Sequence, residues 1–193
     1  MQIRFVIAAA IAVAGSAAAA PATYTIDPDH TYPSFEADHF GGLSTWRGKF
    51  NKSSGTIVYD KEAGSGTLDV TIDTASVDLG HDKLNDHVRT GGDMLDTKKY
   101  PTATYTGKLA KFVNGAPTEV EGTLTLHGVS KPVTLKVDHF GCRPHPMKKG
   151  NEVCGANATG TIDRDAFGVS WGKNYGFKMD VKLAIQVEAL KPD

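Results

Sequence analysis

With 22 acidic against 21 basic side chains in 193 residues, the chain has a formal net charge of −1 and lacks the basic excess that nucleic-acid binders use. The length suits one domain, and no stretch reaches the ~20 consecutive apolar residues of a membrane-spanning helix, so neither nucleic acid nor a stable membrane anchor is expected.

The opening segment reads as an export signal. Arg4 supplies the positive start, Phe5 to Val13 the short apolar run, and the following alanines a small-residue cleavage site. Pro21 disfavours a cut directly before it, which places cleavage after Ala19. Residues 1–19 are then a signal peptide, and residues 20–193 a single domain in the periplasm or outside the cell. No cysteine lies near the cut to carry a lipid.

Thr23 to Asp27 is the first strand candidate, and Asp27-Pro28-Asp29-His30 the turn that ends it. Successive strand side chains point to opposite faces, so Phe35, Ala37 and His39 share one face and Ser34, Glu36 and Asp38 the other. After the Gly41-Gly42 break come Trp46 to Phe50, then Ile57 and Tyr59 around Val58. Leu68, Val70 and Ile72 then alternate with Thr67, Asp69 and Thr71. Between His81 and Lys99 the period changes. His81, Leu84 and Val88 fall at helical spacing, Gly91-Gly92 can end that helix, and Met94 and Leu95 follow in a short turn. Leu84, Val88, Met94 and Leu95 suit either a lid over a barrel mouth or the completion of the core.

Alternation then resumes. Tyr105, Gly107 and Leu109 share a face, as do Val120, Leu124 and Leu126 before the His127-Gly128 break, and Val133, Leu135 and Val137 after it. Ala156, Ala158, Gly160 and Ile162 follow, then Val181, Leu183, Ile185 and Val187. Roughly eight to ten strands separated by glycine-rich breaks make an all-β, mostly antiparallel chain. Small residues at lining positions (Gly107, Ala156, Ala158, Gly160) are expected to leave space inside. Asp38-His39-Phe40-Gly41 recurs as Asp138-His139-Phe140-Gly141, with both histidines expected on the apolar side. They serve either as hydrogen-bonded rim residues or as contacts to a polar ligand head.

Cys142 and Cys154 are the only cysteines, and in an exported chain they read as a disulfide. The rival is a metal site from Cys142, His145, Cys154 and His139, but this spacing matches no strong zinc pattern, and no metal is expected. Gly168-Val169-Ser170-Trp171-Gly172 satisfies the Gly-x-Ser-x-Gly pattern, which works as a nucleophile elbow only between a strand and a helix of a mainly parallel sheet. Nothing in the pattern alternates strands with crossover helices. An esterase-like role for Ser170 is therefore the weakest reading, and no catalytic residues are assigned.

The order of these motifs resembles the YceI-like family of polyisoprenoid-binding proteins. The resemblance runs from Tyr24-Thr25-Ile26-Asp27-Pro28-Asp29-His30-Thr31 through Gly48-Lys49-Phe50, Asp93-Met94-Leu95-Asp96 and Tyr100-Pro101. It continues through Gly122 to Val133 and ends with Arg164-Asp165-Ala166-Phe167-Gly168. Thr31 stands where serine is common, and Tyr105 where phenylalanine is common. The resemblance implies an extended antiparallel lipocalin-like β-barrel of about eight strands, with one or two short helices and an apolar tunnel. It also implies a carrier of a polyisoprenoid or similar amphiphile: a quinone tail, a polyprenyl phosphate or a fatty-acid-like lipid. No cofactor is expected beyond such a ligand. The alternation places Phe35, His39, Trp46, Phe50, Tyr105, Leu124, Leu126, Val133, Leu135, His139, Phe167, Trp171, Leu183 and Ile185 on the tunnel lining, with the facing of Trp46, Phe167, Trp171 and Phe177 left open. Rival roles are a scavenger of hydrophobic toxins or antibiotics, and a homodimer through a strand edge or barrel mouth is compatible with the sequence.

Overall fold

The computed structural model describes residues 20–192; the signal-peptide reading of residues 1–19 lies outside them. The period-2 runs become strands β1 (Ala22–Ile26), β2 (Tyr32–His39), β3 (Ser44–Phe50), β4 (Ser53–Asp60), β5 (Ser65–Asp73) and β6 (Val77–Asp78). Helix α1 (Asp82–Thr90) follows, then β7 (Thr102–Val113), β8 (Ala116–Leu126), β9 (Val129–Pro144), β10 (Glu152–Asp163) and β11 (Asp180–Lys191). Each pairing is antiparallel, in the order β1-β4-β5-β7-β8-β9-β10-β11. Thr25 and Ile26 of β1 then pair with Leu190 and Ala189 of β11, closing an eight-stranded barrel.

The remaining strands branch from the same seam. β11 is long enough to serve two partners: its end takes β1, and its start takes β2, with Val181 opposite Ala37 and Gln186 opposite Tyr32. β3 and β6 continue outward from β2. The chain changes course between β1 and β2 through the expected turn, where Asp27 accepts from the backbone N–H of Asp29 and from the His30 ring. Thr31 seals the junction. Its hydroxyl, on a side chain in a residue only 2% exposed, donates to the Glu188 carbonyl and accepts from the Glu188 N–H, both at 3.1 Å. A side chain thus supplies the acceptor for the Glu188 N–H where one strand leaves and the next joins, while the Glu188 carbonyl also accepts from the Asp27 N–H (2.9 Å).

Two-residue turns fix the register of the central hairpins. His127 and Gly128 both have positive φ (52° and 76°), the combination a tight hairpin turn matched to strand twist requires. The expected disulfide is present, joining Cys142 of β9 to Cys154 of β10 at directly opposed positions (S–S 2.00 Å).

One irregularity reverses a sequence expectation. Asn157 pairs with His139 but Ala158 pairs with Val137, so Asp138 is an extra residue in β9. This β-bulge resets the alternation. Asp138 is held outside by Lys136 (2.6 Å) and the Thr159 hydroxyl (2.7 Å), His139 is exposed, and Phe140 takes the inward position. The repeated Asp-His-Phe-Gly motif therefore has opposite phase in its two copies: His39 faces in and Phe40 out, whereas His139 faces out and Phe140 in.

Replacing Thr31 by Val strands the Glu188 N–H in a buried seam, the Glu188 carbonyl keeping its bond from the Asp27 N–H (2.9 Å). It should cost about 1–3 kcal/mol in urea-induced unfolding, while Thr31→Ser, which keeps the hydroxyl, should cost clearly less. Reducing Cys142–Cys154 should lower stability by roughly 3 kcal/mol through loss of loop constraint, read as a lower urea midpoint in dithiothreitol.

Candidate functional site

The inward faces of the barrel do not meet. They surround a cavity of about 380 Å³ whose walls are almost wholly apolar, supplied by β1–β5, β7–β11 and α1. Phe35, His39, Trp46, Phe50, Tyr105, Leu124, Leu126, Leu135, Trp171, Leu183 and Ile185 all line it. So do Leu84, Val88, Met94 and Leu95, which serve as wall and cover at once. The cover is tied down: Leu95 N–H donates to Val88 O (3.1 Å), and Trp171 N–H donates to Asp93 O (3.0 Å). Asn85, buried on α1, accepts from Leu79 N–H (2.7 Å) and donates to Asp78 (3.3 Å), fastening the helix to β6.

Three expected lining residues lie elsewhere. His139 is outside because of the bulge. Val133 faces inward but packs within the wall, because the Tyr105 ring lies across Gly122 and reaches over to it. A Cβ on Gly122 would sit 2.5 Å from the Tyr105 ring, and the Tyr105 hydroxyl donates to Val133 O at 2.8 Å and to Val120 O at 3.2 Å. Burial pushes that phenol up to about 12. Phe167, only 2% exposed, belongs to the same buried cluster as Ile162 and Val181 and not to the lining. The expected open space at Gly107 and Gly160 is also taken, by Val120 and Leu135 respectively, whereas Ala156 and Ala158 do face the cavity.

The two ends of the cavity differ. At the disulfide end, Tyr24, Tyr59, Cys154 and Ala189 form a second buried cluster with Phe112 and Phe140 packed against it. Tyr59 lies 5.3 Å from the Phe140 ring and 6.4 Å from that of Phe112, and its hydroxyl ties down Gly115 O at 2.6 Å. Tyr24 donates to the Glu152 carboxylate. That end is stoppered. At the other end, His39 stacks on Trp46 (4.6 Å), Phe177 meets His39 (5.1 Å) and Trp171 (5.3 Å), and His87 meets Trp171 (4.8 Å). Outside this aromatic ring stand Phe40, Leu43 and Tyr175, large apolar side chains more than half exposed. The mouth is here.

The sequence reading missed Phe140, Arg164, His87 and Val169 on the lining. The bulge that turns Phe140 inward has no signal in the alternation. His87 had one, since it lies at helical spacing beside Leu84 and Val88. Ser170 sits between two left-handed glycines, Gly168 (φ 80°) and Gly172 (φ 85°), and follows a single 3-10 turn. That is not a strand-to-helix elbow, and no histidine or carboxylate is hydrogen-bonded to Ser170 among the described residues. With its sulfurs joined, Cys142–Cys154 offers no thiolate to a metal. An open depression of about 620 Å³ on the outer face, lined by Thr56, Thr67, Thr106 and Thr123, is a solvent-facing saddle of the sheet.

Comparison with known proteins agrees with this architecture. The family model described as the YceI-like domain matches residues 24–189. Protein YceI of Escherichia coli O6:H1 is 36% identical over 181 residues, covering 92% of this chain and 91% of that protein. A UPF0312 protein of Pectobacterium atrosepticum is 35% identical over 182 residues, covering 94% and 92%. Among solved structures, a Campylobacter jejuni YceI protein is 29% identical with a TM-score of 0.65, covering 78% of this chain and 88% of that one. A polyisoprenoid-binding domain from Saccharophagus degradans shares the fold at 20% identity and a TM-score of 0.61, covering 88% and 98%. The chain belongs to the YceI-like family.

Proposed function

We propose that this protein is an exported carrier that holds the hydrocarbon tail of a polyisoprenoid, or of a similar long-chain amphiphile, inside its barrel. The single observation that carries the reading is the interior cavity of about 380 Å³ with apolar walls, packed by tyrosine and phenylalanine rings at one end and bounded by aromatic rings at the other. Its size falls in the ~300–1,000 Å³ range of small-molecule sites. A structural relative is described as polyisoprenoid-binding, which supports the same class of ligand. The signal-like N-terminus and the Cys142–Cys154 disulfide support an oxidising destination such as the periplasm.

Hydrophobic burial alone suffices to hold such a tail. Each CH₂ taken from water contributes about 0.8 kcal/mol before the tail's lost freedom is counted. At the roughly 0.3 kcal/mol per heavy atom typical of larger ligands, a five-carbon isoprene unit adds about 1.5 kcal/mol, or roughly tenfold in affinity. Affinity should therefore climb with tail length until the cavity is full and then level off.

The two tryptophans of the chain, Trp46 and Trp171, both line the cavity, so an entering quinone should quench the intrinsic fluorescence. Titrating isoprenoid quinones that differ only in tail length should give tightening of about tenfold per added unit. Native mass spectrometry of gently purified protein should show a bound lipid mass. A protein that is empty and does not respond to any quinone would remove the reading. Ala158→Phe fills the cavity from the wall and should weaken quinone binding at least about tenfold, with the circular dichroism spectrum retained. Unchanged affinity in that variant would place the ligand elsewhere.

A further inference from the structure

We infer that the mouth of the cavity contains a head-group subsite for an oxyanion, a phosphate or carboxylate, built on the buried guanidinium of Arg164 and flanked by the imidazoles of His39 and His87. This inference rests on the reading that the cavity holds an amphiphile, and it specifies which end of that amphiphile goes where and what charge it carries.

Arg164 stands at the end of β10, is only 9% exposed, and lines the otherwise apolar cavity. Its guanidinium donates to the carbonyls of Val169 (2.7 Å) and Trp171 (2.8 Å). Those bonds aim the group and hold the loop beside it, but they use only two of its five N–H donors, and carbonyls leave its charge unneutralised. No carboxylate lies within ion-pair distance of it among the described residues. Of the acidic groups nearby, Asp165 pairs with Lys173, Asp163 accepts from the Asp165 N–H, and Asp38, which itself lines the cavity, accepts from the N–H groups of Gly41 and Lys178. Burial lowers the guanidinium's proton affinity, opposed by the fields of Asp165, Asp163, Asp38 and Asp93. A buried cation without a paired anion is costly, and a ligand oxyanion removes that cost through charge-assisted bonds.

The neighbours are suited to the same task. His39 and His87 both line the cavity and have ring contacts with Trp46, Phe177 and Trp171, yet neither ring nitrogen is hydrogen-bonded among the described residues. Trp171 links the three residues: its carbonyl accepts from Arg164, its ring meets His87, and it meets Phe177, which in turn meets His39. Among the described residues Arg164 is the one Lys or Arg on the lining, and the opposite end is closed by Tyr59, Phe112 and Phe140. An amphiphile therefore enters tail first, with its charged head arrested at Arg164.

Isothermal titration of the wild-type mature protein with three ligands of identical twenty-carbon isoprenoid tail provides the test: geranylgeranyl phosphate, geranylgeranoic acid and geranylgeraniol. The phosphate, the carboxylate or both should bind at least tenfold tighter than the alcohol, and which of them leads distinguishes a prenyl phosphate from a fatty-acid-like ligand. Arg164→Gln should bring the three within about threefold of one another, with the anionic heads losing more affinity than the alcohol. Arg164→Lys, which keeps a charge without the fork, should retain part of the preference. Should Arg164→Gln fail to fold, the wild-type comparison still decides. Equal binding of anionic and alcohol heads overturns the subsite and leaves the carrier reading intact; binding of none overturns both.

Discussion

Closure of the sheet is the constraint on which everything else depends. An antiparallel sheet with one apolar face must either pack that face against another layer or curl until the face encloses itself. Here β11 makes closure possible by pairing with β1 at its end and with β2 at its start, so that one strand serves both the barrel and its side extension. Thr31 fills the gap between those two partners with a hydroxyl that both donates and accepts. Only a closed wall turns eight half-greasy strands into a container with an inside.

The inside stays hollow because the large side chains are braced against the wall. Tyr105 is the clearest case. Its ring lies flat across Gly122, and its hydroxyl reaches the carbonyls of Val120 and Val133, so a bulky residue thickens the wall without crossing the interior. Leu135 likewise leans into the space that a side chain at position 160 would take. Glycines therefore receive neighbouring side chains, and the void arises from barrel girth together with Ala156 and Ala158. The two ends then give the container a direction: phenolic hydroxyls and stacked rings at the disulfide end, imidazoles and a buried guanidinium at the other.

Much of this was legible in the sequence because period-2 alternation reports directly on which face a residue occupies. Alternation puts Leu124, Leu126, Leu135, Leu183 and Ile185 on the face that lines the cavity, and the spacing of Leu84 and Val88 marks α1. Alternation fails where the backbone inserts a residue, and the bulge at Asp138 is such a place: one extra residue exchanged the roles of His139 and Phe140. It also cannot tell a side chain that faces in from one that faces in beneath a neighbour, which is the case of Val133 under Tyr105. Arg164 was visible as a motif residue, but its inward aim depends on the carbonyls of Val169 and Trp171, which only the folded loop presents.

The claim most open to direct observation is that a hydrocarbon chain occupies the barrel interior. A crystal structure of the protein purified without detergent or organic solvent should show continuous elongated density beginning beside Arg164 and Trp171 and running inward toward Phe140. An interior filled by collapsed side chains, or by a chain of ordered water molecules hydrogen-bonded along the wall, would contradict it.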